Sequence, residues 1–133
     1  MAKQLPKSFN CPTEFTLTVL GGKWKTVILC YLKQRPCRYS ELRQLVPALS
    51  DKMLSERLRD LRQSGLVIHS KDSATGSSIY SLTAKGRSLG DLLHTLYDWG
   101  RLHAKEFDVN VGEPMKELAA HKAVVNARAG LYL

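Results

Sequence analysis

After Ser50, the residues Lys52, Ser55, Glu56, Arg59 and Gln63 follow one another at spacings of three, one, three and four. On an α-helix turning about 100° per residue they share one face, and Leu54, Leu58 and Leu61 gather on the other. The chemistry such a face offers is recognition. Arg and Lys donate to guanine edges, Gln pairs with adenine, and Glu accepts from cytosine. A helix with its side chains is about 10–12 Å across and the DNA major groove about 12 Å wide, so the two fit. Ser50 is a good N-cap, Asp51 complements the helix dipole, and the free amides at the helix start suit a phosphate. Arg57 falls at the edge of the leucine face, where a structural role is expected: its stem packs and its head pairs with an acid. The plainer alternative is a solvated helix of mixed charge.

Charge weighs between the two. The chain has 133 residues, with 20 Lys and Arg against 12 Asp and Glu, for a net charge of +8. Residues 21–63 hold ten of those basic residues and four of the acidic ones, a net of +6. A local basic footprint suits a polyanion, and nucleic acid is the first candidate. Basic residues outside the helix fall where backbone contacts are useful: Arg38, Lys71, and Lys23 with Lys25.

The elements that must position this face read as follows. Pro12–Leu20 is expected to be a first helix with Pro in its opening turn, broken by Gly21-Gly22. A second helix is expected over 23–33, with Trp24, Val27, Ile28, Tyr31 and Leu32 on its apolar face. A third spans 40–46 and stops at Pro47. The fourth, 51–64, ends at Gly65. Segments 66–71 and 78–82 form a hairpin about a tip at 72–77 rich in turn residues. Thr83 then caps a long fifth helix carrying a stripe of Leu89, Leu92, Leu93, Leu96, Trp99 and Leu102. Part of that stripe is expected to face a second copy of the chain, the alternative being closure of its own core. A last helix is expected over 114–128. The fold class is therefore mainly α with a small β-hairpin, in the element order of a winged helix-turn-helix domain. DNA readers and protein-interaction modules share that order, so an acidic protein partner stays open beside DNA.

Other classes find little support. The longest apolar run, 27–32, is far short of the roughly 20 residues that span a bilayer. The start of the chain lacks the apolar segment of a secretory signal, and a cytoplasmic location is expected. Cys11, Cys30 and Cys37 make an odd count without a Cys-x-x-Cys pair, and the four histidines show no metal-ligand spacing, so no metal or cofactor is expected. Gly21-Gly22-Lys23 lacks the upstream glycine of a phosphate loop, since Thr16 and Leu17 stand there. No enzyme motif is present.

Several pieces then occur in a fixed order: Cys11-Pro12, Gly22-Lys23-Trp24, Arg38-Tyr39-Ser40-Glu41-Leu42 and Ser50-Asp51-Lys52-Met53-Leu54-Ser55-Glu56-Arg57-Leu58. Gly65-Leu66-Val67, Tyr80-Ser81-Leu82-Thr83-Ala84-Lys85-Gly86 and Trp99 follow. Over 11–107 this ordered set resembles the HxlR family of bacterial winged-helix transcriptional regulators. The resemblance implies a homodimer on operator DNA, with 51–64 as recognition helix, the hairpin as wing, and terminal helices forming the dimer interface. The organisation expected is an arm at 1–10, the winged domain at 11–107, and an extension at 108–133 packing on the dimer. DNA-contact candidates are Arg38, Ser40, Ser50, Lys52, Ser55, Glu56, Arg59, Gln63 and Lys71. Interface candidates are Leu17, Leu92, Leu96 and Trp99.

Some regulators resembling this one sense oxidants or electrophiles through a cysteine just before the first helix, where Cys11 stands. Its place at a helix start, with Lys3 and Lys7 nearby, is expected to lower the thiol pKa. Cys37, beside Arg38, is a weaker reactive candidate, and Cys30 is expected in the core. The chain departs from the resemblance in its wing tip, which has no proline, so a looser wing is expected. Residues beyond Asp108 fall outside the shared pattern.

Overall fold

The computed structural model describes residues 4–116. Helix α1 (Pro12–Leu20) leads through two glycines to α2 (Lys25–Gln34). Strand β1 (Cys37–Arg38) runs directly into α3 (Tyr39–Leu45), and a turn carries the chain to α4 (Asp51–Gln63). Strands β2 (Val67–Lys71) and β3 (Ser78–Leu82) form the hairpin. Helices α5 (Ala84–Arg87) and α6 (Gly90–His103) follow, with a 3-10 turn at Ala104–Phe107.

α2 sits at the centre. Ile28, Leu29, Cys30, Tyr31 and Leu32 are all buried, so the helix is covered on nearly every side over that stretch. It begins at Lys25, two residues later than the sequence suggests, because Trp24 takes a left-handed conformation (φ 87°) that no helix can include. α4 docks beside it through Leu54, Leu58 and Leu61, each 1 % exposed or less. Burial of each contributes about 1.5–3 kcal/mol. The same three leucines thereby fix which face of α4 looks outward.

Two further differences from the sequence reading bear on the site. The hairpin is part of a three-stranded antiparallel sheet in the order β1-β3-β2, with Cys37 opposite Tyr80 and Arg38 opposite Ile79. Strand β1 was not expected, since two residues leave no periodic signal. The single long helix after Thr83 is instead two. Thr83 does cap, its Oγ1 accepting from the Gly86 amide at 3.0 Å, but the helix it starts stops at Arg87. There Ser88 and Leu89 make i→i−3 backbone bonds, and the chain re-enters a helix at Gly90. Gly86 anchors the break. A Cβ on it would lie 2.1 Å from the Leu66 carbonyl oxygen, so only glycine lets α5 pack so close to the entrance of β2.

Of the leucine stripe, Leu93 is buried, whereas Leu92, Leu96, Trp99 and Leu102 are exposed. Leu93 and Leu89 pack on the chain's own core, and the rest of the stripe is left outside it. The expected helix 114–128 falls mostly outside the described residues. Only 114–116 are seen, and they form the start of a helical turn.

Candidate nucleic-acid interface

The turn between α3 and α4 is fastened from both sides. Ser50 Oγ accepts from the Met53 amide at 3.2 Å, which defines the first turn of α4. Arg43 donates to the Leu49 carbonyl and pairs with Asp51 at 2.8 Å. The Tyr39 hydroxyl lies 3.0 Å from Asp51 Oδ1 and 3.2 Å from Ser55 Oγ, so it ties the start of α3 to the first turns of α4. The cap is the one the sequence offers, but the Arg43 and Tyr39 contacts were invisible there, because each depends on how α3 packs on α4.

Outward from that joint, Lys52, Ser55, Arg59 and Gln63 are exposed and Glu56 is half-buried. Arg62, absent from the sequence-derived set, is exposed as well. With Arg59 and Gln63 it faces Ile68 and His69 of β2 across a shallow cleft. Its spacing of three from Arg59 was the available signal. Ser40 and Ser50 are also exposed, at the starts of α3 and α4.

The ion pairs sort the basic residues. Arg35 pairs with Glu41 at 2.6 Å, Arg38 with Asp72 at 2.8 Å, Arg43 with Asp51, and Arg57 with Asp60 at 4.0 Å. Arg57 also donates from Nε to the Lys23 carbonyl at 3.0 Å, which fits the structural role expected of it. Lys52, Arg59 and Arg62 of α4 and Lys71 of β2 have no acidic partner within 4.0 Å among the described residues. Glu41, Asp51 and Asp60 of the basic stretch are taken up by arginines, and the outer face of α4 keeps Lys52, Arg59 and Arg62 beside the single acid Glu56.

The wing tip is held by hydrogen bonds even without a proline. Asp72 and Ser77 are joined by a backbone bond of 2.8 Å, and Asp72 Oδ1 accepts from the Ala74 amide at 2.9 Å. Arg38 donates to Asp72 Oδ2 and, at 3.2 Å, to Thr75 Oγ1. Strand β1 places it for this, which is why the sequence could not assign the contact. The Ala74 amide, and then the Arg38 guanidinium, hold the Asp72 carboxyl below the usual carboxylate range, so it is ionised at neutral pH.

Cys11 is the exposed N-cap of α1. The Thr13 hydroxyl, and after it the backbone amides of Thr13 and Glu14, lower its thiol pKa. The helix start does this; Lys7 is not among the causes, and Lys3 lies outside the described residues. Cys37 is not reactive as expected: burial pushes its thiol up to about 11, and its Sγ donates to the Arg35 carbonyl at 3.5 Å. Cys30 is buried, as expected, and its pKa is raised by that burial.

A family model described as HxlR-like helix-turn-helix matches residues 19–108. The chain belongs to this family. Among HxlR-like relatives, the uncharacterized HTH-type transcriptional regulator YkvN of Bacillus subtilis is 40% identical over 101 residues, covering 75% of this chain and 86% of its own. Among solved structures, the redox regulator HypR in its reduced form matches with a TM-score of 0.69 at 31% identity, over 74% of this chain and 98% of its own. The reduced form of the transcriptional regulator YodB from B. subtilis matches with a TM-score of 0.62 at 32% identity, over 69% of this chain and 92% of its own. The protein is thus a transcriptional regulator with a DNA-binding helix-turn-helix of the HxlR type. Among the described residues, no helix is long and apolar enough to cross a membrane.

Arg38 and Asp72 yield a first test. Asp72→Asn keeps an acceptor for the Ala74 amide but frees the guanidinium for a phosphate. Affinity for random DNA is expected to rise about two- to fivefold, with the salt slope steeper by about one. Fluorescence-anisotropy titrations at several salt concentrations read both quantities, and an unchanged slope would place Arg38 away from DNA.

Proposed function

We propose that this HxlR-type regulator acts in the cytoplasm as a homodimer on a pseudo-palindromic operator, with α4 of each protomer in the major groove. Lys52, Ser55, Glu56, Arg59 and Gln63 meet base edges, Ser40, Ser50 and Lys71 hold the backbone, and Arg38 joins them to the extent that a phosphate displaces Asp72 from its guanidinium. The β2–β3 hairpin is the wing. The observation that carries this reading is the outer face of α4, whose cations have no acidic partner among the described residues while Arg35, Arg38, Arg43 and Arg57 are paired. The dimer reading rests on the apolar side chains exposed on both terminal helices: Phe15 and Leu17 of α1, and Leu92, Leu96, Trp99 and Leu102 of α6. On this reading the winged domain spans 11–107, and the extension expected over 108–133 lies mostly outside the described residues.

Titration of the DNA upstream of its own gene against salt tests the proposal. A protein that neutralises six or more phosphates loses about 10³–10⁵ in affinity between 50 and 200 mM salt. It also prefers its operator to random DNA by ~10³ or more. A module that binds an acidic protein would show no such preference.

Cys11 is proposed as a thiol sensor. Its exposure and lowered pKa favour this, as does the likeness to a protein described as a redox regulator. Diamide, a two-electron oxidant, would join two Cys11 thiols as one disulfide and take up the two electrons and two protons released. Strain at the α1 start would then move the recognition helices. Cys11→Ser is expected to abolish diamide-dependent loss of DNA binding, read by gel shift. A full response in the variant would remove the thiol from the mechanism.

A further inference from the structure

Four oxygens meet where the start of α3 crosses the first turns of α4. The Tyr39 hydroxyl lies 3.0 Å from Asp51 Oδ1, 3.2 Å from the Asp51 carbonyl oxygen and 3.2 Å from Ser55 Oγ. A phenol has one proton to give, and its oxygen can also accept. Both Asp51 atoms only accept: one is a peptide carbonyl, and the other belongs to a carboxylate that Arg43 pairs with at 2.8 Å. The Tyr39 proton is therefore committed to Asp51, and Ser55 is the donor in its own contact with Tyr39. Burial raises the pKa of the phenol, the Ser55 bond opposes that and the Asp51 bond adds to it, so Tyr39 keeps its proton at neutral pH.

Ser55 is exposed on the outer face of α4, with Lys52 three residues before it and Arg59 four after. A free serine hydroxyl gives or takes a hydrogen bond and so tells few bases apart. Once its proton is spent on Tyr39, only lone pairs are left for an incoming base edge. In the major groove those lone pairs match an exocyclic amine, adenine N6 or cytosine N4, and oppose the keto oxygens of guanine and thymine. Lys52 and Arg59, which only donate, have the opposite preference.

We propose that the relay Asp51–Tyr39–Ser55 makes Ser55 an obligate acceptor, and that Ser55 reads the amine of an adenine or cytosine in each half-site. Tyr39 is a positioning residue: it touches no base and acts by turning the Ser55 proton inward. The inference rests on the reading of α4 as the helix in the major groove.

The test uses operator duplexes from the DNA upstream of the gene, titrated by fluorescence anisotropy. In one set each adenine in turn becomes purine, and each cytosine 2-pyrimidinone, which removes the amine alone. At one position per half-site this is expected to lower affinity about three- to tenfold, and Ser55→Ala should make that position indifferent. In a second set adenine becomes guanine, or cytosine thymine, which puts a keto oxygen where the amine was. Tyr39→Phe keeps the ring and the Arg43–Asp51 pair but releases the Ser55 proton. The penalty for the keto base should then shrink about threefold or more at this position and at no other. A Tyr39 that only braces the fold would weaken every duplex alike and leave the discrimination intact, which would overturn the proposal. A Ser55-dependent base that carries a keto group, or no Ser55-dependent base at all, would overturn it too, whether or not Tyr39→Phe folds. These results leave the regulator reading standing. Equal binding of the unmodified protein to operator and random DNA would instead sink that reading, and this inference with it.

Discussion

Replacing Leu96 and Trp99 together by Asp is expected to leave a folded monomer whose operator affinity is ~10²–10⁴ lower, the avidity of a second half-site being lost. Both side chains are exposed in the single chain, Leu96 at 42% and Trp99 at 59%, and neither belongs to the buried core. In a dimer the same positions would be desolvated, and two carboxylates per protomer would be buried opposite apolar groups without partners. A central Trp in an interface typically costs 2 kcal/mol or more when removed, and a charge in its place costs more. Asp98 pairs with Arg101 and lies 3.1 Å from His94 Nε2 on the same helix, and these polar groups suit the rim of such a contact. Sedimentation equilibrium reads the oligomeric state, circular dichroism the fold, and gel shift the affinity. A variant that stays dimeric would remove α6 from the interface.

Arg59→Ala is expected to cost ~1–3 kcal/mol on the operator, about five- to 150-fold, and very little on random DNA. The residue is exposed, has no acidic partner among the described residues, and lies one turn beyond Ser55 on the same face. Such an arginine can make a bidentate bond to a guanine edge. Lys71→Ala should behave differently. It sits on the wing strand, where a phosphate contact weakens both DNAs alike and its loss lowers the salt slope by about one. The ratio of operator to random affinity therefore separates the two roles. If Arg59→Ala left that ratio intact, the residue would not read a base.

The parts of this interface legible in the sequence are those set by local rules. Ser50, the leucine spacing and Gly65 delimited α4 to within one residue, because capping, burial periodicity and a left-handed stop act within one element. Glycine and serine in the tip marked the hairpin for the same reason. What stayed hidden was set by distant partners. Strand β1 exists only because Cys37 and Arg38 meet Tyr80 and Ile79. Arg38 reads as a cation available for a backbone contact, but β1 carries it to Asp72, and nothing in the sequence joins Tyr39 or Arg43 to α4. The break after Arg87 follows from one close approach, Gly86 against Leu66, which no periodicity encodes. Cys37 went wrong on similar grounds, since its neighbour Arg38 suggested activation while β1 buried the thiol.

The central claim is that the outer face of α4 enters the major groove. Methylation interference at guanine N7, an atom exposed only in that groove, tests it most directly on the DNA upstream of the gene. The prediction is two clusters of interfering guanines on one side of the duplex, centred about 34 Å apart, with the guanine read by Arg59 fading from both clusters when Arg59 is Ala. Binding that tolerates methylation at every guanine of its site would contradict it.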